Sequence, residues 1–250
     1  MIVLITGASA GFGEAMARKF VANGHRVIAA ARRTERLARL HGELGERLLP
    51  VTMDVTDRAS VDGALAQLPA DWKPIDVLVN NAGLALGTAP AQSSSLDEWD
   101  TMIDTNTKGL VTVTRTVLPE MLARNSGVII NNIGSMAGNT PYPGGNVYGA
   151  TKAFVEQFTR NLRADLVGTG VRATNLAPGL CGGTEFSNVR FRGDDDAAAK
   201  VYAGTHPLTA ADIAATAYWI ATLPAHVNVN HIELMPTCQG YGPLNIKRES

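Results

Sequence analysis

The chain has 250 residues, enough for one large α/β domain or two small ones, and 45% hydrophobic content supports a sizeable core. Its 22 basic and 23 acidic residues leave a net charge of −1, so nothing favours nucleic acid or an anionic membrane surface as partner. No apolar run approaches the roughly 20 residues of a membrane span. Cys181 and Cys238 lack metal-ligand spacing, so no metal site and a reducing compartment are expected. Met1–Thr6 runs straight into a glycine turn with no basic leader, which reads as a cytoplasmic protein without a signal peptide.

Short apolar runs alternate with amphipathic stretches. Residues 2–5, 26–31, 48–53, 75–79, 128–133, 171–176 and 231–235 read as strands, continuous in Val, Ile and Leu as strands buried on both faces are. Between them lie helical segments, one over 13–23 stopped by Gly24. Ser95–Glu98 reads as a capping box opening a helix at Trp99, and Thr209–Asp212 as another. The alternation predicts a Rossmann-type, doubly wound parallel sheet of about seven strands with helices on both faces. No linker, repeat or low-complexity segment divides residues 1–250, so one domain is expected.

The first strand is followed by Gly7, Ala8, Ser9, Ala10, Gly11, Phe12 and Gly13. Such a turn lets backbone approach a pyrophosphate at a helix N-terminus, although the spacing G-x-x-x-G-x-G differs from the usual dinucleotide fingerprint. After the second strand come Arg32 and Arg33, with no carboxylate until Glu35. Two guanidiniums there suit a 2′-phosphate and predict NADP as cofactor rather than NAD. Asp54 and Val55 close the third strand, where the carboxylate could meet an adenine or cap the next helix. Asn81, Ala82 and Gly83 follow the fourth strand and could let a ribose pass close to the main chain. An Asn and a Gly inside the helical run 99–123, at Asn106 and Gly109, predict a local deviation from α-helix. Ser135 ends the fifth strand and faces the same crevice.

Tyr148 and Lys152, four residues apart in a helical stretch, share one helix face. A cation beside a phenol favours phenolate, which would suit proton exchange with an alcohol near neutral pH. On this pair alone, a solvated helix face carrying both residues is the plainer reading.

Taken in order, the turn Thr6–Gly13, Asn80–Gly83, Asn106, Ser135, Tyr148/Lys152 and Pro178-Gly179 span almost the whole chain and resemble the short-chain dehydrogenase/reductase family. The resemblance implies that Tyr148 exchanges the proton and Lys152 lowers its pKa and holds the nicotinamide ribose. It further implies that Ser135 bonds the substrate oxygen and that Asn106 holds a relay water. Residues 81–87, 144–148, 182–191 and 223–228 look like the NADP-dependent 3-hydroxy acid dehydrogenase group. That group implies oxidation of serine and allo-threonine, reduction of malonic semialdehyde to 3-hydroxypropionate, and a homotetramer. It also implies a loop of Pro178, Gly179, Leu180, Gly183, Thr184, Glu185 and Phe186 over the nicotinamide.

One departure stands out. Asn131-Asn132 is one residue longer than in relatives, and a one-residue slip reverses a strand's faces, so a bulge upstream of Ser135 is expected. For the substrate carboxylate the candidate forks are Arg190 and Arg192, with ordinary surface arginines the competing reading. The alternatives in function are reduction of another small carbonyl compound, or NADPH binding by a regulator without turnover.

Overall fold

The computed structural model describes residues 1–132 and 134–242. Seven strands form one wholly parallel sheet in the order β3-β2-β1-β4-β5-β6-β7. The strands are β1 (Ile2–Thr6), β2 (Arg26–Ala31), β3 (Leu48–Thr52), β4 (Val77–Asn80), β5 (Gly127–Asn131), β6 (Val171–Pro178) and β7 (His231–Leu234). The first six helices are α1 (Gly11–Ala22), α2 (Thr34–Leu44), α3 (Arg58–Ala66), α4 (Leu96–Ile103), α5 (Leu110–Ala123) and α6 (Asn146–Asp165). Two short ones, α7 (Phe186–Arg190) and α8 (Asp195–Lys200), precede α9 (Ala210–Thr222).

Alternation along each strand sorts the core into two layers. Val3, Ile5, Val27, Ala29, Val77 and Val79 meet α1, α2 and α9 through Met16, Phe20, Leu37 and Ile220. Leu4, Ile28, Leu78 and Ile129 face the other way, onto α3, α5 and α6 through Val61, Val113, Val117 and Leu162. Both faces are dry, which is why the strands read as unbroken apolar runs.

Local chemistry sets the helix ends. Gly24 takes φ +83° just past α1, and Thr209 and Asp212 complete a reciprocal capping box on α9. Ser95 caps α4 by accepting from Glu98 N–H at 3.4 Å, so that helix begins at Leu96 rather than at the expected Trp99. Asp57, not Asp54, caps α3. The deviation expected around Asn106 is a π turn, Asp104–Gly109, between α4 and α5. A Cβ at Gly109 would lie 2.8 Å from Val55 Cγ2, so the π turn is held against the end of β3.

The bulge expected in β5 is absent from the described residues. Register is regular from Gly127 to Asn131 against β6, and Asn131 pairs abreast of Asn80 on β4 and Asn175 on β6. Tertiary pairing on both sides keeps the strand regular through Asn131. Ile133 lies outside the described residues.

Arg172 on β6 is buried, and its guanidinium donates to the carbonyls of Ile220 (2.9 Å), Ala221 (3.0 Å), Leu223 (3.4 Å) and Val227 (3.4 Å). These are the orphaned acceptors at and beyond the C-terminus of α9, where a cation also complements the helix dipole. Arg172→Met therefore strands several buried carbonyls and is expected to cost about 3 kcal/mol of unfolding free energy, measured by urea titration. A loss under about 1 kcal/mol would show the acceptors finding water instead.

Candidate active site

The sheet order turns back between β1 and β4, and the chain leaves these strands toward opposite faces, opening a crevice at their C-terminal ends. Thr6 Oγ1 accepts from the N–H groups of Asn81 and Ala82, each at 2.9 Å, and Asn81 Nδ2 returns a bond to Thr6 O at 2.9 Å. Gly7 and Gly11 take φ +65° and +55°. A Cβ at Gly13 would collide with the Gly7 carbonyl and lie 2.6 Å from Asn81 Nδ2. Ala10 precedes α1 without any side-chain cap, so the first N–H groups of that helix face the crevice free for an anion.

Two connected cavities occupy the crevice. The first, about 340 Å³, is lined by Gly7, Ser9, Ala10, Gly11, Phe12, Arg32, Arg33, Asp54, Val55, Asn81, Ala82 and Gly83. The strap residues Thr184, Glu185 and Phe186 close it. The second, about 870 Å³, shares Phe12, Asn81, Gly83, Thr184 and Phe186 with the first. It adds Ser135, Tyr148, Lys152, Pro178, Gly179, Leu180 and Arg190. A cradle too tight for side chains, an open helix end and a pair of arginines fit a phosphorylated dinucleotide along this length. Ala8 lies in the core instead, and neither Gly13 nor Gly183 reaches the wall.

At the narrower end Arg32 is exposed and 3.9 Å from Asp54 Oδ2, while Arg33 Nε donates to Ser9 Oγ at 3.1 Å. Burial pushes the Asp54 carboxyl up, but bonds from Thr56 N–H and Oγ1 and the charge of Arg32 outweigh it and hold the carboxyl below its ordinary range. Sequence reasoning missed Arg36. It stands one helical turn beyond Arg32 and Arg33, a spacing that could have disclosed it.

At the wider end, the turn of α6 brings Lys152 Nζ to 5.0 Å from the centroid of the Tyr148 ring. Arg190 stands over the same ring at 5.5 Å and donates to Tyr142 Oη at 2.9 Å. Ser135 lines the same cavity as Tyr148, accepts from Ala137 N–H at 3.2 Å and donates to Pro178 O at 3.4 Å. Asn106 lies outside the cavity wall. Its amide bonds both Leu84 backbone groups (2.8 and 2.9 Å) and Thr151 Oγ1 (3.1 Å), and that hydroxyl donates to Tyr148 O at 2.8 Å. Gln239, also unforeseen, reaches back to accept from Leu180 N–H at 2.6 Å; 59 residues separate them, and no local signal joins them. Arg192 is not in this cavity: its exposed guanidinium pairs with Glu98 at 2.5 Å.

The expected acidification of Tyr148 by Lys152 is not what the protein alone produces. Burial drives the Tyr148 phenol above its ordinary value, aided by Tyr142 and opposed by Ser135 and Arg190. Burial likewise lowers Lys152 to about 7. A dry cleft penalises phenolate and ammonium alike, and a lysine driven toward neutrality lends the phenol little charge.

Fold and crevice together define a dinucleotide-dependent enzyme of the doubly wound class. The family model for short chain dehydrogenases matches residues 1–194. The chain belongs to that family. It is 60% identical over 248 residues to an NADP-dependent 3-hydroxy acid dehydrogenase, YdfG, of Salmonella typhi, covering 99% of this chain and all of the relative. It is 49% identical over 248 residues to the serine 3-dehydrogenase of Agrobacterium fabrum, covering 99% and 98%. Among solved structures, the closed form of serine dehydrogenase complexed with NADP+ superposes with a TM-score of 0.98 at 59% identity over the whole of both chains.

The titration of Lys152 yields a measurable pH dependence. Its folded pKa of about 7 lies below the unfolded 10.5, so the unfolded chain binds the additional proton between those values and folding gains stability as pH rises through them. Lys152→Met is expected to stabilise the ligand-free protein most at pH 7 and below, by a margin that shrinks toward pH 10. Urea melts of both proteins at pH 6, 8 and 9.5 test this, and a margin independent of pH would refute it.

Proposed function

We propose that this chain is an NADP-dependent dehydrogenase of small 3-hydroxy acids: L-serine, L-allo-threonine and 3-hydroxypropionate, with malonic semialdehyde reduced in the reverse direction. The observation that carries this reading is the Arg190 guanidinium 5.5 Å from the ring of Tyr148, in a cavity continuous with the dinucleotide cleft. A carboxylate on Arg190 places an oxygen borne two carbons away beside the phenol, and a fork suits a carboxylate bidentately. The names and identities of the relatives support the same substrate class and the same cofactor.

Gly7, Gly11, Arg32 and Arg33 would hold the pyrophosphate and 2′-phosphate, Asp54 and Val55 the adenine side, and Asn81–Gly83 the ribose. Pro178–Leu180, Thr184 and Phe186 would enclose the nicotinamide, with Glu185 turned to the arginines of the narrower cavity. When bound, NADP supplies the hydride acceptor for oxidation, or the donor for reduction. Ser135 holds the substrate oxygen, and Tyr148 takes its proton in oxidation and returns it in reduction. Burial favours the protonated phenol, the form an acid for carbonyl reduction needs. Lys152 holds the ribose and, once charged, favours the phenolate that oxidation requires. Asn106 positions this pair through Thr151, and its amide oxygen keeps one lone pair for a relay water.

Tyr148→Phe is expected to lower kcat at least about 10³-fold with NADPH affinity within about threefold, by fluorescence titration. Arg190→Ala is expected to raise KM for L-serine and 3-hydroxypropionate at least about tenfold, and Arg192→Ala by less than about threefold. NADPH binding without turnover of any carbonyl by the wild type would make the protein a cofactor sensor.

We also place the enzyme in the cytoplasm as a homotetramer. Both thiols are unpaired, and no helix among the described residues is long and apolar enough to cross a membrane. Phe154 on α6, 42% exposed, stacks on Phe158 with centroids 6.0 Å apart. Light scattering is expected to give four chains, and Phe154→Asp smaller species; a monomeric wild type would rule this assembly out.

A further inference from the structure

The turn Gly182–Glu185 and helix α7 form a strap across the cleft, and one carboxylate fastens its leading end. Glu185 accepts from Arg33 Nη1 at 2.9 Å and from Arg36 Nη1 at 2.8 Å, and meets Arg36 Nη2 at 2.8 Å. These partners come from 152 and 149 residues earlier in the chain. The hydrogen bonds of Arg36 and Arg33 hold the Glu185 carboxyl down at about 2, so it stays ionised throughout the working range of pH. Behind it, Gly183 takes φ +72°, a conformation that glycine adopts readily, and nothing lies within 4 Å of where its Cβ would be.

The far end of α7 serves the chemistry. Phe186 sits with its ring centroid 6.0 Å from that of Tyr148, and Arg190 stands over the same phenol at 5.5 Å. Five residues of helix separate Glu185 from the chain beyond Arg190, so fastening the first aims the last. A lone exposed ion pair contributes little, but here one carboxylate is shared between two guanidiniums.

We propose that Glu185 is a positioning residue, clamped by Arg33 and Arg36 so that α7 presents Phe186 and Arg190 to Tyr148. The arginine cluster at the 2′-phosphate end of the cleft thereby also sets the affinity for the hydroxy acid. This inference rests on Arg190 as the carboxylate anchor. Arg36 stands outside the cavity wall formed by Arg32 and Arg33, so replacing it loosens the clamp without removing a lining group.

At saturating NADP, Glu185→Gln and Arg36→Met are each expected to raise KM for L-serine about five- to tenfold, with kcat within about twofold. The double variant is expected to be no worse than Glu185→Gln alone, because that variant already removes the ion pair that Arg36→Met removes. The exchanged pair Glu185→Arg with Arg36→Glu is expected to recover part of the lost affinity, because Arg33 then meets a like charge at position 185. Hydrogen exchange over residues 183–191 of the NADPH complex reads the strap without substrate, and both single variants are expected to exchange faster there. Unchanged exchange and unchanged KM would overturn the clamp, as would single effects that add in the double variant. A wild type that turns over no 3-hydroxy acid would instead overturn the function proposed above, while the exchange measurement still decides the clamp.

Discussion

The clasp between Thr6 and Asn81 is the interaction on which the rest depends. Doubly wound sheets split at the switch point, because the chains leaving neighbouring strands depart to opposite faces. The hydroxyl of Thr6 and the amide of Asn81 tie the two strand ends together across that split. Asn81 also donates to Gly7 O at 3.3 Å and accepts from Asn132 Nδ2 at 2.8 Å. One side chain thus connects the glycine turn to the end of β5, three residues before Ser135. Each bond contributes about 1 kcal/mol in such a place, and its larger effect is geometric. It holds the cradle for an anion and the strand carrying the serine in one frame.

Behind that frame lies a polar row set into an apolar sheet. Asn80 donates to Asn131 Oδ1 and to Thr114 Oγ1, each at 2.9 Å, and Asn131 donates to Thr159 on α6 at 2.7 Å. Burying amides costs free energy unless they find partners, and these find each other across neighbouring strands. The row locks the register of β4 against β5 and joins the sheet to the helix that carries Tyr148 and Lys152. A straight β5 is part of the same arrangement, since Asn131 can meet both neighbours only if the strand carries no bulge.

Electrostatically the cleft has two characters. At the end lined by Arg32 and Arg33 the charges are solvated, and Glu185 offsets one of the two positive charges of Arg33 and Arg36. At the catalytic end Tyr148 and Lys152 are dry, and desolvation overrides their mutual attraction. In the protein alone, burial therefore favours the neutral form of both groups.

Much of this was legible in the residues. The apolar runs, Gly24 after α1, the capping box at Thr209 and the irregularity around Asn106 all depend on backbone preferences and contacts within a few positions, which sequence records directly. The four-residue spacing of Tyr148 and Lys152 and the neighbouring cations Arg32 and Arg33 belong to the same local grammar. Tertiary structure decided what depends on distant partners. It straightened β5 by pairing it on both sides, drew Arg190 into the cavity while sending Arg192 to Glu98, brought Glu185 to Arg36 and Gln239 to Leu180, and reversed the expected effect on the tyrosine. Helical spacing put the two groups side by side, but only the packed cleft determined how much water they lose, and solvation rather than proximity sets their charge.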